Sequence, residues 1–288
     1  MRVAYLGPAG TYTDEAMRAS GPADLEPDPR GTVYETVMAV QAAEADRAVV
    51  PIENSLEGAV GATLDALAGE ADRVRIAAEV VHPIHHCLVA ASELPLERIV
   101  RVLSHPQATA QCARYLRERL PAAERVAATS TAEAVRTVRE SGEPWAAIGS
   151  RLSAELYGCK VLAEAIEDHA DNLTRFVWLA PAGAASGQVE GPFKTSVVFW
   201  GFNDASPGAL VSVLRELSER RINLTKIESR PRRGELGHYM FFADLEGHQQ
   251  QPHVAEALAA LRGRVDTLRV LGSYPAAVGD RGGVATEP

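Results

Sequence analysis

The chain changes its periodicity once, at Pro181-Ala182-Gly183-Ala184-Ala185-Ser186-Gly187, and that change constrains the fold more than any other feature. Ahead of it, over residues 1–180, short apolar runs alternate with helical patterns. Arg2–Leu6 reads as a strand stopping at Gly7-Pro8, with a helix starting near Thr11-Tyr12-Thr13-Asp14. Residues 32–43 are helical by period, and Ala48-Val49-Val50 leads as a strand into Pro51-Ile52-Glu53-Asn54-Ser55. Residues 74–89 are rich in β-formers, with Pro83 marking an edge or a break. A strand over 99–103 precedes Pro106, which opens a helix running through Gln111, Cys112, Tyr115 and Leu116. A strand over 126–128, a helix capped by Ser130 with Glu133 three residues on, a strand over 146–148, a helix near 151–157 and a strand over 161–166 complete the series. Such alternation predicts an α/β domain with mostly parallel sheets.

The Gly/Ala/Ser-rich stretch is a linker, assigned to 181–193. Beyond it, strand patterns at 195–202, 223–229, 239–245 and 265–271 and helical patterns at 208–221 and 254–261 give the order βαββαβ. That order predicts a ferredoxin-like domain over 194–275, with Trp200 and Phe202 in its core or an interface. The polar, Gly-rich tail at 276–288 is expected to be disordered.

Four loops of the first domain share one design, an apolar strand giving way to small polar residues before a helix or strand: Gly7–Thr11, Glu53-Asn54-Ser55, Ser104-His105-Pro106-Gln107 and Asn172-Leu173-Thr174-Arg175. Ligands of open parallel sheets bind at the strands' carboxyl ends, where backbone N–H groups favour anions. Thr174 beside Arg175 adds a neutral donor and a positive fork, equipment for holding a small anion while working on one of its oxygens. Taken alone, each loop is more often a capped turn, and the Thr-Arg pair reads first as a solvated strand edge.

The net charge of −9 argues against nucleic acid as a general partner, since phosphate binding needs clustered Lys and Arg. No run approaches a membrane span, and the first residues are too short for a signal-peptide core. Cys87, Cys112 and Cys159 are far apart without metal-type pairing, the pattern of thiols in a reducing cytoplasm. His82-Pro83-Ile84-His85-His86 invites a metal reading, but no acidic or Cys partner stands at ligand spacing, and no metal is expected. His105 reads as a capping or packing residue.

GPAGTYT at 7–13, PIENSLEGA at 51–59, SHPQATAQC at 104–112 and NLTRF at 172–176 resemble the prephenate dehydratase family. SPGALVSVL at 206–214, INLTKIESRP at 222–231 and LGHYMFFADLEGH at 236–248 resemble the phenylalanine-sensing ACT domain attached to that enzyme. The resemblance spans Val3 to about Pro275, and with no chorismate mutase-like segment ahead of Met1 the expectation is the monofunctional form. It implies a bilobed catalytic domain resembling periplasmic solute-binding proteins, and conversion of prephenate to phenylpyruvate without metal or organic cofactor. Thr174 matches the family's catalytic threonine, and Thr11, Asn54, Ser55, Ser104, Gln111, Glu133, Arg175 and Phe176 are its expected substrate-site companions. Glu133 is equally explained by the capping box. Gly208, Ala209, Leu210 and Val211, with Glu228, Ser229, Arg230 and Pro231, form the two implied phenylalanine motifs, and Asn223 and Leu224 are expected contacts between paired ACT domains. Arg232-Arg233 stands where the family often carries Lys, which preserves charge. A homo-oligomer, dimer or tetramer, follows from a site shared between subunits. Arogenate dehydratase and a non-catalytic amino-acid sensor are the alternatives.

Overall fold

The computed structural model describes residues 1–184, 191–202, 206–232 and 237–277. The expected linker lies partly outside these residues, the expected tail almost wholly, and Arg233 also falls outside. From the N-terminus come β1 (Arg2–Leu6), α1 (Tyr12–Ser20), β2 (Glu26–Arg30), α2 (Val33–Gln41), β3 (Arg47–Asn54), β4 (Gly58–Ala59), α3 (Gly61–Ala68) and β5 (Val74–Pro83). Next are β6 (Cys87–Ala90), β7 (Arg101–Ser104), α4 (Pro106–Gln111), α5 (Ala113–Arg119), β8 (Glu124–Ala127), α6 (Thr131–Ser141), β9 (Trp145–Gly149), α7 (Arg151–Leu156), β10 (Lys160–Ala163) and β11 (Leu173–Pro181). The last six are β12 (Phe193–Trp200), α8 (Ala209–Ser218), β13 (Leu224–Pro231), β14 (Tyr239–Glu246), α9 (Pro252–Arg262) and β15 (Thr267–Pro275).

One sheet runs β2-β1-β3-β11-β5 with β4 on β3, and a second runs β10-β6-β9-β7-β8. The expectation of mostly parallel sheets is corrected: β7 is parallel to β8 and β9, but β6 is antiparallel to both β9 and β10. β6 enters this sheet from β5 of the other sheet through Ile84-His85-His86, not by a crossover from β9 or β10, so no strand–helix–strand connection imposes parallel pairing on it. The expected continuous helix through Gln111 and Leu116 is also corrected, because Cys112 at φ −114°, ψ 20° divides it into α4 and α5.

By internal contacts the chain forms two compact units that cut across sequence order. The first holds Met1–Thr36, Val49–Gly58 and Val81–Phe176, and the second Val37–Ala48, Ala59–Val80 and the residues from Val177 on. In the second unit the sheet β13-β14-β12-β15 is antiparallel throughout, as βαββαβ order requires. Val197 and Phe199 of β12 pack with Val213 and Leu217 of α8 and Leu258 and Leu261 of α9. Residues of β12 and β15 also meet α3 and β5. Arg269 donates to the carbonyls of Leu67, Ala68, Gly69 and Ala71 at the end of α3, and Lys194 pairs with Glu79 of β5 at 3.0 Å. Gly272 lies so close to the Ile76 backbone that any Cβ would collide with it.

Candidate active site

Everything in this site belongs to the first unit. β3 ends on Asn54 and β11 begins on Leu173, and the two ends are laced together. Ser55 N–H donates to Leu173 O (2.8 Å), and Leu173 N–H returns a bond to Ser55 Oγ (2.9 Å). Asn54 Oδ1 accepts from the N–H groups of Leu56 and Glu57, both at 3.0 Å, which fixes which way its amide faces. Its Nδ2 therefore points at Asn172 Oδ1 (2.8 Å), Leu173 O (3.1 Å) and Thr174 Oγ1 (2.9 Å). Thr174 is 8% exposed. Its hydroxyl oxygen accepts from Asn54, and its proton has no acceptor among the described residues.

The row continues away from Thr174. Asn172 Nδ2 donates to Gln111 Oε1 (3.1 Å), and His86 Nε2 lies 3.0 Å from the same oxygen. A carbonyl oxygen only accepts, so Nε2 carries the hydrogen. Burial holds His86 below its ordinary pKa, so the ring is neutral, and its bare Nδ1 lies 2.6 Å from Tyr12 OH, whose one proton also has the His85 carbonyl within 3.0 Å. Glu167 secures the segment, accepting from His86 N–H (2.9 Å) and lying 2.8 Å from His85 Nδ1.

The expected site residues divide accordingly. Thr174, Asn54, Gln111 and, through its loop, Ser55 come together. Ser104 does not, because it is fully buried and its one proton goes to Ile148 O (2.9 Å). Thr11 is spent as the cap of α1, donating to Leu6 O and accepting from Asp14 N–H. Glu133 pairs with Arg136 at 2.9 Å on the surface of α6, while Ser130 accepts from its N–H. Phe176 is core, edge-on to His82. Arg175 is a further correction to the picture of hydroxyl and guanidinium side by side. Side chains alternate across β11, so Thr174 meets Asn54 on one face while Arg175, buried, lies on the other with Nε 3.3 Å from Glu53 Oε2. His86, Tyr12 and the side chain of Asn172 were missed. The only sequence signal for His86 was the His-rich run, read for metal alone.

His105 caps α4, its Nδ1 accepting from Gln107 N–H. His82 lies 3.2 Å from Glu15, and among the described residues no three His, Cys, Asp or Glu side chains are grouped to hold a metal. No described helix is long and apolar enough to cross a membrane.

In the second unit a cavity of about 350 Å³ opens beside Gly208, Ala209, Leu210 and Val211, with Phe202, Tyr239 and Phe241 among its walls. Gly208 has φ +82° and open space where a Cβ would stand. The other implied motif lies elsewhere. Glu228–Pro231 runs along edge strand β13, and Arg230 forms a bidentate pair with Asp65 of α3, both bonds at 2.7 Å. Asn223 O accepts from Glu246 N–H, and Leu224 sits opposite Leu245 in the β13–β14 ladder.

The family model for prephenate dehydratase matches residues 3–183, and that for the ACT domain matches 203–263. The chain belongs to the prephenate dehydratase family. It is 41% identical to the prephenate dehydratase of Amycolatopsis methanolica, over 96% of this chain and 90% of that one. Among solved structures it resembles a prephenate dehydratase from Arthrobacter aurescens in complex with L-Phe, with TM-score 0.88 and 40% identity over 96% of this chain and 90% of the other. It also resembles GqqA, described as a novel type of quorum quenching acylase, with TM-score 0.86 and 32% identity over 98% of this chain and all of that one. As in the dehydratase family, the chain joins a lyase domain to an ACT domain.

Proposed function

We propose that the protein converts prephenate to phenylpyruvate, carbon dioxide and water, with Thr174 acting on the departing ring hydroxyl. The observation that carries this is the Thr174 hydroxyl itself, which accepts from Asn54 and keeps its proton for a ligand oxygen. As the carboxylate carbon leaves as carbon dioxide, its bonding pair enters the ring, the ring aromatises and the carbon–oxygen bond opposite breaks, the oxygen leaving as hydroxide that takes a proton from solvent to become water. Thr174 donates its hydrogen bond as that oxygen gains charge, the moment at which such a bond is worth most. Arg175, on the opposite face of β11 and paired with Glu53, supports the strand that carries Thr174 and is not assigned a substrate carboxylate.

Purified protein mixed with prephenate is expected to generate phenylpyruvate absorbance, and arogenate assayed beside it decides between the two substrates. Thr174→Ala is expected to lower kcat by about 10²–10⁴-fold, the usual range for assistance of this type. Unchanged kcat in a folded Thr174→Ala variant removes the assignment. Because a similar structure is described as an acylase, turnover of prephenate is the deciding measurement.

L-Phenylalanine is the proposed regulator, bound in the cavity beside Gly208–Val211. Glu228–Pro231 does not line that cavity, so the second motif would come from a neighbouring chain, which supports a homo-oligomer paired through its ACT domains. Coupling of about 1–3 kcal/mol is typical of such control. Phenylalanine is expected to inhibit turnover and Gly208→Ala to raise the concentration required, with light scattering reporting the oligomer. Three free thiols, two of them buried, suit a reducing compartment, and we assign the enzyme to the cytoplasm.

A further inference from the structure

Six side chains stand in one hydrogen-bonded row: Tyr12, His86, Gln111, Asn172, Asn54 and Thr174. The direction of the bonds is dictated from the Asn54 end. Leu56 and Glu57 N–H groups hold Asn54 with its NH₂ toward Asn172, so Asn172 must present its oxygen there and its NH₂ to Gln111. Gln111 must then present its oxygen to both Asn172 and His86. Only a His86 ring with hydrogen on Nε2 satisfies this, which leaves Nδ1 to accept from Tyr12 OH at 2.6 Å, a proton that the His85 carbonyl at 3.0 Å also attracts. A ring with hydrogen on Nδ1 would oppose a lone pair to the Gln111 oxygen. Gln111 and Asn172 would then have to turn, setting the Asn172 NH₂ against that of Asn54. Amide side chains donate and accept but do not pass protons on, so the row cannot conduct a proton to Thr174. It can only orient.

We infer that His86, with Tyr12 behind it, is a positioning residue for the reaction, acting through Gln111 and Asn172 on the Asn54–Thr174 pair. His86 is 2% exposed and Asn172 1%, so a broken link leaves a buried polar group unmatched rather than handing it to water. The inference rests on the Thr174 reading above.

The test is steady-state kinetics on the full-length protein with three substitutions at His86, each checked for melting temperature. Losing one neutral hydrogen bond corresponds to about threefold to tenfold in rate, so His86→Ala is expected to lower kcat by about tenfold with KM changed less than about twofold. His86→Gln places an amide N–H where Nε2–H stood and is expected to recover kcat to within about threefold of wild type. His86→Asn, whose amide reaches only the Nδ1 position, is expected to stay low. Tyr12→Phe keeps the ring packing, removes the hydroxyl beside Nδ1, and is expected to lower kcat by about threefold. Unchanged kcat in folded His86→Ala and Tyr12→Phe overturns the inference, as does a kcat that follows melting temperature alike in the Gln and Asn variants. Thr174→Ala in the same series separates the failures. If it retains turnover the Thr174 reading fails, whereas if it abolishes turnover while the His86 variants do not, only this inference falls.

Discussion

Gly10 has φ +85°, and a Cβ there would lie 2.9 Å from both Cα and Cβ of Ser153. Its N–H donates to Asp14 Oδ2 (2.9 Å) and its carbonyl accepts from Ser150 Oγ (3.0 Å). The Gly7–Thr11 loop, legible in the sequence as a cradle for an anion, is thus filled by the chain's own groups. Asn54, Gln111 and Thr174 were legible as polar residues at strand and helix ends. Their alignment was not, because no local pattern encodes a bond such as that from Asn54 to Thr174. His86 and Glu167 carry a consequence for acid stability. Burial works to raise the Glu167 carboxyl, but bonds from the His85 ring and the His86 N–H outweigh it and hold the group below its ordinary 4.5. Burial holds His86 below 6.5. In both cases the unfolded chain takes up a proton that the folded chain resists. Stability is therefore full above the ordinary histidine value, declines as pH falls through 6.5, and declines again through the carboxylate range below 4.5. Urea unfolding between pH about 7 and about 2 should show both steps, and Glu167→Gln should remove the lower one while leaving the upper.

The break between α4 and α5 shows what periodicity leaves out at the scale of an element. Apolar spacing carries a helix straight through Cys112, yet Asp168 intervenes from a distant part of the chain. Its N–H donates to Gln111 O (2.7 Å), ending α4, and its carboxylate accepts from Arg114 N–H at 3.1 and 3.2 Å, starting α5. A carboxylate at a helix start also meets the positive end of the helix dipole. Asp168→Ala is expected to cost about 1 kcal/mol of unfolding free energy, the usual worth of a helix cap. Its kcat should remain near wild type, because Gln111 is held through the Asp168 backbone N–H, which the substitution leaves in place. Urea titration and turnover on the same preparation check both halves. The alternation of β11 is the opposite case. The sequence pattern was read correctly as a strand, and the strand's period of two is what separates Arg175 from Thr174.

For the molecule as a whole, the ACT sheet is informative because its strand order was legible while its surroundings were not. Along β12, Val197 and Phe199 belong to the core beneath α8 and α9, which leaves Lys194, Ser196 and Val198 for the other face. A face carrying Lys and Ser reads as solvated, yet both residues are buried. The second unit includes residues 59–80 of the preceding domain, and Glu79 from that segment meets Lys194 at 3.0 Å with the two side chains 0% and 4% exposed. Glu79 also accepts from Ala277 N–H (2.8 Å), so the carboxylate ties β5, β12 and the end of β15 together. Removing one partner of such a buried pair strands the other charge in a low-dielectric interior, at a cost of about 3–5 kcal/mol, whereas replacing both with apolar residues of similar volume is often neutral. Lys194→Met is therefore expected to lower the unfolding free energy by about that amount and Lys194→Met with Glu79→Leu to regain most of it. A double variant no more stable than the single one would mean that Glu79 acts mainly through the Ala277 N–H. Recovery would mean that the pair itself sets which face of the ACT sheet meets β5, a match between two segments more than a hundred residues apart in the chain that neither segment's own pattern announces.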